Sequence, residues 1–393
     1  MALRSMNELD VRGKRVLLRE DLNVPMDEAR VADYTRIDAA LPTLRALHDR
    51  GARTIVLSHL GRPDGTPNSK YSLRPVGLAL SERLGLPVAF ADDCVGTHAH
   101  AAVDALQDGD ILLLENVRFH AGEERNDPSF VAQLATLGDV YINDAFGTAH
   151  RAHASTEGLA HVLPHAAGLL MQGELDALRK LTDHPAEPFV CAIGGSKVAD
   201  KIGVFTHLIE LVDAFCIGGG MANTFLAAEG VPVGKSLRDA DLEPALAILS
   251  LARRSGVALH LPIDAITGSG LDDPAPRTVS TAAVAANDMI LDIGPASAKA
   301  YANVIERAKT VVFNGPMGVY EKPAFRAGTQ VVGEAIARAT RRGALSVVGG
   351  GDAAAAAHML GFADAVSHVS TGGGATLEYL EGRVLPGVAA LES

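Results

Sequence analysis

Short apolar runs of strand composition recur along this chain, and most of them end in glycine or lead within a few residues to an arginine. In the first half they are Val16–Arg19, Thr54–Ser58, Val88–Phe90, Ile111–Leu114 and Val140–Asn143, with helical stretches such as Tyr34–Arg50 and Leu73–Leu84 between them. In the second half the runs Phe189–Gly195, Ala214–Gly220, Val311–Gly315, Ser346–Gly351 and Val369–Gly374 finish in glycine and lead into stretches of helical composition. Strand and helix alternating in this way imply parallel sheets with right-handed crossovers. An amphipathic stretch from Leu169 to Leu181 and a proline-bearing segment from Thr182 to Pro188 interrupt the alternation. With 393 residues the chain exceeds one typical core. Two α/β domains, divided near residues 169–188, are expected.

The formal net charge of −12 argues against nucleic acid and anionic membrane as partners. Against that background the arginines of the first half are conspicuous. They lie within or beside Asp21-Leu22-Asn23-Val24-Pro25, Thr35-Arg36, His59-Leu60-Gly61-Arg62-Pro63, Glu115-Asn116-Val117-Arg118-Phe119 and Ala149-His150-Arg151-Ala152-His153, several directly after strand-type runs. Ligands of open α/β sheets collect at the carboxyl ends of strands, and the guanidinium fork suits phosphate and carboxylate. The first half is therefore expected to bind a small, multiply charged anion. In the second half, glycine turns let backbone N–H groups and helix N-termini approach phosphate without an intervening Cβ. Two ligands meeting between two domains is the reading that joins the halves.

Neither a P-loop pattern nor a dinucleotide fingerprint after the first strand is present. Lys197 and Lys201, in Gly194-Gly195-Ser196-Lys197-Val198-Ala199-Asp200-Lys201, are spaced to share one helix face, where they repel unless an anion lies beside them. A solvated helix face is the plainer reading of the same spacing. Asp352 follows three glycines, a place that suits either a magnesium ion shared with nucleotide phosphates or an ordinary helix cap. Ser370-Thr371-Gly372-Gly373-Gly374-Ala375-Thr376 puts bare N–H groups at a helix start, as an anion site or a capped turn. His59, His150 and His153 lack metal-site spacing; His59 is placed to touch ligand and the other two to support it. Cys94, Cys191 and Cys216 are scattered where a zinc site wants paired cysteines, and the last two read as small buried hydrophobes. With no secretory apolar region at the start and no run near the ~20 residues of a membrane span, a cytoplasmic protein is expected.

These segments, taken together and in order, resemble the phosphoglycerate kinase family over essentially the whole chain. The resemblance rests on Arg19-x-Asp21-x-Asn23-Val24-Pro25, Ser58-His59-Leu60-Gly61-Arg62-Pro63, Glu115-Asn116-Val117-Arg118-Phe119-His120 and the run from Asn143 to Ser155. In the second half it rests on Gly194 to Ile202, Gly218 to Phe225, Asn314 to Glu321, Gly349-Gly350-Gly351-Asp352 and Ser370 to Ala375. It implies two doubly wound parallel-sheet (Rossmann-like) α/β domains joined by a hinge helix. Residues 1–170 would bind 3-phosphoglycerate, 171–188 would form the interdomain helix and loop, 189–380 would bind nucleotide, and 381–393 would pack back on the first domain. The implied reaction moves a phosphoryl group between 1,3-bisphosphoglycerate and MgADP, giving 3-phosphoglycerate and MgATP, in a monomer. By the same resemblance Asp21, Leu22, Asn23, Arg36, His59, Leu60, Gly61, Arg62, Arg118 and Arg151 hold the three-carbon substrate, and Arg36 reaches the group in transfer. Lys197, Lys201, Gly294, Asn314, Glu321, Gly350, Gly351, Asp352 and Ala353 belong to the nucleotide, with Glu321 at the ribose and Asp352 holding Mg2+. Lys197 also meets the group in flight, and Gly372, Gly373 and Gly374 offer N–H donors to the transition state.

The chain departs from the family pattern twice. Ala353 stands where threonine commonly follows Gly-Gly-Asp, removing a hydroxyl worth roughly 0.5–1.5 kcal/mol to a bound phosphate. Phe313 stands where tryptophan commonly precedes Asn-Gly-Pro, keeping a large apolar ring. A second reading is a non-catalytic phosphometabolite-binding protein of the same fold. Retention of Arg36, Lys197, Lys201 and Asp352 together favours the enzyme. An NAD-dependent dehydrogenase is disfavoured by the missing fingerprint.

Overall fold

The computed structural model describes residues 3–392. They form two compact units, one made of residues up to Asp176 together with those from Val384 onward, the other of Ala177–Arg383. The division falls inside the helix Leu169–Thr182, the amphipathic stretch of the sequence. Among the described residues no helix is long and apolar enough to cross a membrane.

The first unit is built on a six-stranded parallel sheet. Its strands are β1 (Arg15–Arg19), β2 (Arg53–Leu57), β3 (Val88–Ala91), β4 (Ile111–Leu114), β5 (Val140–Asn143) and β6 (His165–Ala167), in the order β3-β4-β2-β1-β5-β6. The central strands are apolar along their whole length because helices cover both faces. Ile37, Ala40, Leu44 and Leu47 of the helix Thr35–Asp49 recur at helical spacing and pack with Leu18, Val56 and Ile142 in one core. The chain enters this sheet at its middle, and β1 has β2 on one side and β5 on the other. That reversal of winding opens a crevice at the carboxyl ends of the strands.

The second unit repeats the plan. Its parallel strands are β7 (Phe189–Ile193), β8 (Ala214–Ile217) and β9 (Ala258–His260), then β13 (Thr310–Asn314), β14 (Leu345–Val348) and β15 (His368–Val369). Their order is β9-β8-β7-β13-β14-β15, with the reversal at β7. Between β9 and β13 lies an antiparallel sheet, β11-β10-β12, of β10 (Asp264–Gly268), β11 (Arg277–Ser280) and β12 (Met289–Ile293). It corrects the expectation of unbroken strand–helix alternation from Phe189 to Val369. β11 is short, polar and largely exposed, so it lacks the apolar run by which the other strands are recognised.

The last residues join the first unit. Gly387 N–H donates to the Ala149 carbonyl at 2.8 Å, and Leu385 and Leu391 are buried. Leu391→Ala is expected to destabilise the first unit by about 2–5 kcal/mol, the usual cost of emptying a leucine site. Urea unfolding reads this as a lower midpoint at unchanged slope; an unaltered midpoint would show that the tail is only laid on the surface.

Candidate functional site

In the first unit, β1 delivers Arg19 into the crevice with almost no exposure. Its guanidinium donates to Ser155 Oγ at 2.8 Å, to the Glu20 carbonyl, and to His59 Nδ1 at 3.2 Å. Arginine keeps its proton, so His59 Nδ1 must accept and the neutral ring carries its own proton on Nε2. Burial drives the His59 pKa well below the usual histidine value, and Arg19, Arg118, Arg36 and Arg151 push it the same way. Four guanidinium groups thus act on one ring. Arg36, Arg118 and Arg151, far apart in sequence, are brought together with His59.

Arg36 enters from the first turn of the helix Thr35–Asp49, and its Nη1 donates to Asp21 Oδ2 at 2.8 Å and to the Asn23 carbonyl at 3.1 Å. Asn23 Oδ1 accepts from Gly61 N–H at 2.9 Å, and the Gly61 carbonyl accepts from Arg118 Nη1 at 2.9 Å. Gly61 has φ +63°, and a Cβ there would lie 2.4 Å from the Tyr71 ring, so no side chain fits. Leu22 and Leu60 point into the core, and the Leu22 N–H is taken by Ser58 Oγ at 2.9 Å. Arg62 is exposed, while Arg151 is half-buried with Nε 3.2 Å from His150 Nε2. The Arg118 pKa falls to about 10, mainly through burial, with Arg151 and Arg19 adding to the fall and Glu124, 3.2 Å from Nε, opposing it. Crowded cations that cannot all be solvated make a site whose charge is best balanced by an incoming anion.

Sequence reasoning did not place Arg19, Ser155 and Glu123 in the site. Glu123 is fully buried and accepts from Ser155 N–H at 2.9 Å and Oγ at 2.6 Å, which sets a carboxylate behind Arg19. Burial, followed by Arg118, Arg19 and Arg151, lowers His153 to about 3, so it too is neutral. Arg19 and Ser155 stand inside the quoted motifs; their burial was the missing information.

Directly beneath this cluster lies a pair of buried acids. Glu20 is held well above the ordinary carboxylate range, first by burial and then by the neighbouring Asp144. Burial lifts Asp144 to about 6, against hydrogen bonds from Thr43, Met171 and Glu20. Asp144 Oδ1 accepts from Met171 N–H at 2.9 Å in the first turn of the helix Leu169–Thr182. A folded state that keeps a proton the unfolded chain gives up near pH 4 loses stability as pH rises. For Asp144 that loss runs from about pH 4 through about pH 6. Glu20→Gln removes the share of this decline that comes from Glu20 and leaves the share set by burial of Asp144, so the loss of stability between pH 4.5 and pH 7 in urea unfolding is expected to be smaller than in the parent. An identical decline in the variant would show that Glu20 holds no proton in the folded state that the unfolded chain gives up.

In the second unit the crevice forms where β7 and β13 end side by side. Gly194 N–H donates to the Asn314 carbonyl at 3.2 Å, and a Cβ on Gly194 would lie 1.9 Å from the Pro316 carbonyl oxygen. Lys201 Nζ donates to the carbonyls of Gly194 and Asn314, both at 2.7 Å, and to Asn314 Oδ1. Burial lowers its pKa to about 8, with Asp352 and Asp200 among the groups that oppose the fall. A cavity of about 460 Å³ here is lined by Lys197, Lys201, Asn314, Asp352 and Ala353, together with glycines that include Gly350, Gly351, Gly373 and Gly374. A second cavity of about 510 Å³ shares Gly195, Ser196 and Asp352 with it and is walled by Leu237, Met289, Met317, Tyr320 and Glu321. One part is rich in N–H donors and cations, the other in apolar side chains, as a phosphate-bearing aromatic base would require. The apolar part was not read from the sequence, because its residues come from separate segments with no common spacing.

Several expectations need correction. Lys197 and Lys201 do not share a helix face: the α-helix begins at Ile202 after a 3-10 turn over Ala199–Lys201, and Lys197 lies in an exposed loop. Asp239 fixes that loop by accepting from Val198 N–H at 2.8 Å, and Lys201 turns inward to the carbonyls. Asp352 is not a cap; it is exposed in the first turn of the helix Gly351–Met359, whose cap is Gly350. Gly372 N–H is already donated to Ser370 Oγ at 3.1 Å, and Gly373 and Gly374, not Gly372, line the cavity. Gly294 caps the helix Pro295–Ile305 and gives its N–H to the Asp264 carbonyl; its neighbour Ile293 is the one that faces the apolar cavity. Ala353 lines the first cavity and also packs in the core. Phe313 is buried edge-on against Phe362.

Binding of a polyphosphate anion such as pyrophosphate is expected to weaken above pH 8, where free Lys201 loses its charge. The loss should approach tenfold by pH 9 in calorimetric titration, as expected for roughly one unit beyond the pKa. Lys201→Met should bind more weakly and show no such alkaline loss; an unchanged pH profile in that variant would remove Lys201 from the anion site.

Known proteins resemble this chain along nearly its whole length. The family model described as phosphoglycerate kinase matches residues 6–383. A phosphoglycerate kinase of Azorhizobium caulinodans is 54% identical over 391 residues, covering 99% of this chain and 98% of its own length. That of Pelotomaculum thermopropionicum is 52% identical over 396 residues, covering 100% and 99%. The structure of phosphoglycerate kinase from Coxiella burnetii superposes with a TM-score of 0.90 at 40% identity, covering 100% of this chain and 99% of that one. The crystal structure of the Pyrococcus horikoshii protein gives 0.85 at 30% identity, covering 99% and 98%.

Proposed function

The chain belongs to the phosphoglycerate kinase family, and on that premise we propose how its own residues divide the work of the reaction. The enzyme is a phosphotransferase of glycolysis that moves a phosphoryl group reversibly between 1,3-bisphosphoglycerate and ADP, giving 3-phosphoglycerate and ATP. The observation that carries the residue assignment is the convergence of Arg36, Arg118 and Arg151 on a neutral His59.

In this reading the carboxylate and phosphate of the three-carbon substrate replace the missing counter-charge among the arginines, with Arg62 closing on them from the exposed side. His59 donates from Nε2 and moves no proton, since its ring is kept neutral. Asp21 and the Asn23 carbonyl aim Arg36 at the transferring group. The nucleotide lies along the two cavities of the second unit, its phosphates toward Lys197, Lys201 and the N–H groups of Gly373 and Gly374, its ribose toward Glu321. The nucleophile is already a carboxylate or phosphate oxygen, so no general base is needed and electrostatics and positioning carry the rate.

An exposed carboxylate on the shared wall of both cavities fits a magnesium ion that keeps most of its waters, so Asp352 would hold Mg2+ together with the nucleotide phosphates. When bound, that ion would neutralise the charge of the β- and γ-phosphates. Direct in-line transfer requires the two ligands to meet, and the proposal includes closure about the helix Leu169–Thr182, which also excludes water. The enzyme works as a monomer in the cytoplasm. A non-catalytic binding protein is not favoured, since Arg36, Lys197, Lys201 and Asp352 are all retained.

A coupled assay with MgATP and 3-phosphoglycerate tests the reading, and absence of turnover in the folded chain would overturn it. Arg36→Ala is expected to lower turnover by about 10²–10³, the scale of one lost transition-state donor, with a much smaller change in KM. Near-parental turnover would place Arg36 outside the chemistry.

A further inference from the structure

A group of side chains that the reaction does not use stands at the ends of β3 and β4. These strands pair in parallel, Ala91 against Leu114, and so bring the turn after β3 beside the turn after β4. The first turn carries Asp93 and Cys94; the second ends in His120. An Asp93 carboxylate oxygen, Cys94 Sγ and a ring nitrogen of His120 all lie within 4.8 Å of one another, and this is the one grouping of its kind among the described residues. The sequence hid it, because cysteine and histidine stand far apart along the chain and no second cysteine is near.

The three are held in place. Asp93 Oδ1 accepts from Cys94 N–H at 2.7 Å and lies 2.7 Å from His120 Nε2. The His120 ring is stacked on Phe130 with centroids 5.2 Å apart, and its backbone N–H closes the preceding turn on the Val117 carbonyl. Cys94 is buried at the base, whereas Asp93 and His120 are half-exposed, so the group opens to solvent on one side only. One sulfur, one imidazole nitrogen and one carboxylate oxygen do not suit Mg2+ or Ca2+, which want oxygen ligands. They are the mixed donors of a tetrahedral transition-metal site with one open position. Ligand atoms around such an ion lie about 3.5 Å apart, so small side-chain rotations close the set.

We propose that Asp93, Cys94 and His120 form a binding site for a zinc-like divalent transition-metal ion, separate from the magnesium of the reaction. As the metal–sulfur bond forms, the thiol proton leaves to solvent. The proton that His120 holds on Nε2 against Asp93 moves through solvent to Nδ1, so the neutral ring offers the Nε2 lone pair. Asp93 supplies a carboxylate oxygen, and water takes the fourth position.

The test titrates Co2+ into the chelator-stripped full-length protein without nucleotide. The expected result is one equivalent bound with a thiolate-to-cobalt charge-transfer band, bleached when Zn2+ is added. Cys94→Ser should lose the band, and His120→Gln and Asp93→Asn should each weaken binding by at least about tenfold. Circular dichroism and turnover under saturating substrates report whether each variant folds. If Cys94→Ser does not fold, the two half-exposed positions decide the question. Cobalt bound without a charge-transfer band, or with affinity unchanged in His120→Gln and Asp93→Asn, would overturn the site.

Discussion

A guanidinium cannot give up its proton when it is buried, and the placement of Arg19 at the end of β1 governs much of what surrounds it. A lone buried cation is costly unless every donor is met and an opposite charge stands near. Ser155 Oγ, the Glu20 carbonyl and His59 Nδ1 meet the donors, and Glu123 behind Ser155 supplies the charge. The acceptor role forced on His59 fixes its tautomer, and its tautomer fixes which nitrogen faces the ligand. Arg36, Arg118 and Arg151 then add positive charge that Glu123 does not balance.

The second unit solves the same problem with a side chain that can titrate. Lys201 is saturated by carbonyl oxygens, which satisfy its hydrogen bonds without cancelling its charge. The arginine crevice therefore keeps its charge over the whole working range, whereas the lysine cavity is sensitive to mildly alkaline conditions. The contrast follows from residue type and burial alone.

The parallel sheets were legible because each central strand is a buried apolar run and each crossover a helix of regular spacing. The antiparallel insert was not, since β11 reads as a polar loop and its pairing depends on partners distant in sequence. The arginine cluster was legible from position after strands, yet its most deeply buried member was not: Arg19 looks in sequence like any other arginine. Spacing misled at Lys197 and Lys201, where a turn rather than a helix separates the two and sends one side chain inward. Gly372 shows the same limit on a smaller scale, because sequence counts N–H groups but cannot tell which are already spent on a neighbouring hydroxyl.

The return of residues from Val384 onward to the first unit has a bearing on how the protein is made. The second unit is one continuous stretch, Ala177–Arg383, and all of its contacts are available once that stretch has left the ribosome. The first unit is interrupted: it is begun by residues that precede Ala177 and sealed by residues that follow Arg383, with Gly387 tied to the Ala149 carbonyl. The half that emerges first is thus the half that is finished last. Its anion crevice stays on an unsealed scaffold until the residues past Arg383 have emerged, and a truncated product that stops short of Val384 carries a complete second unit and an incomplete first.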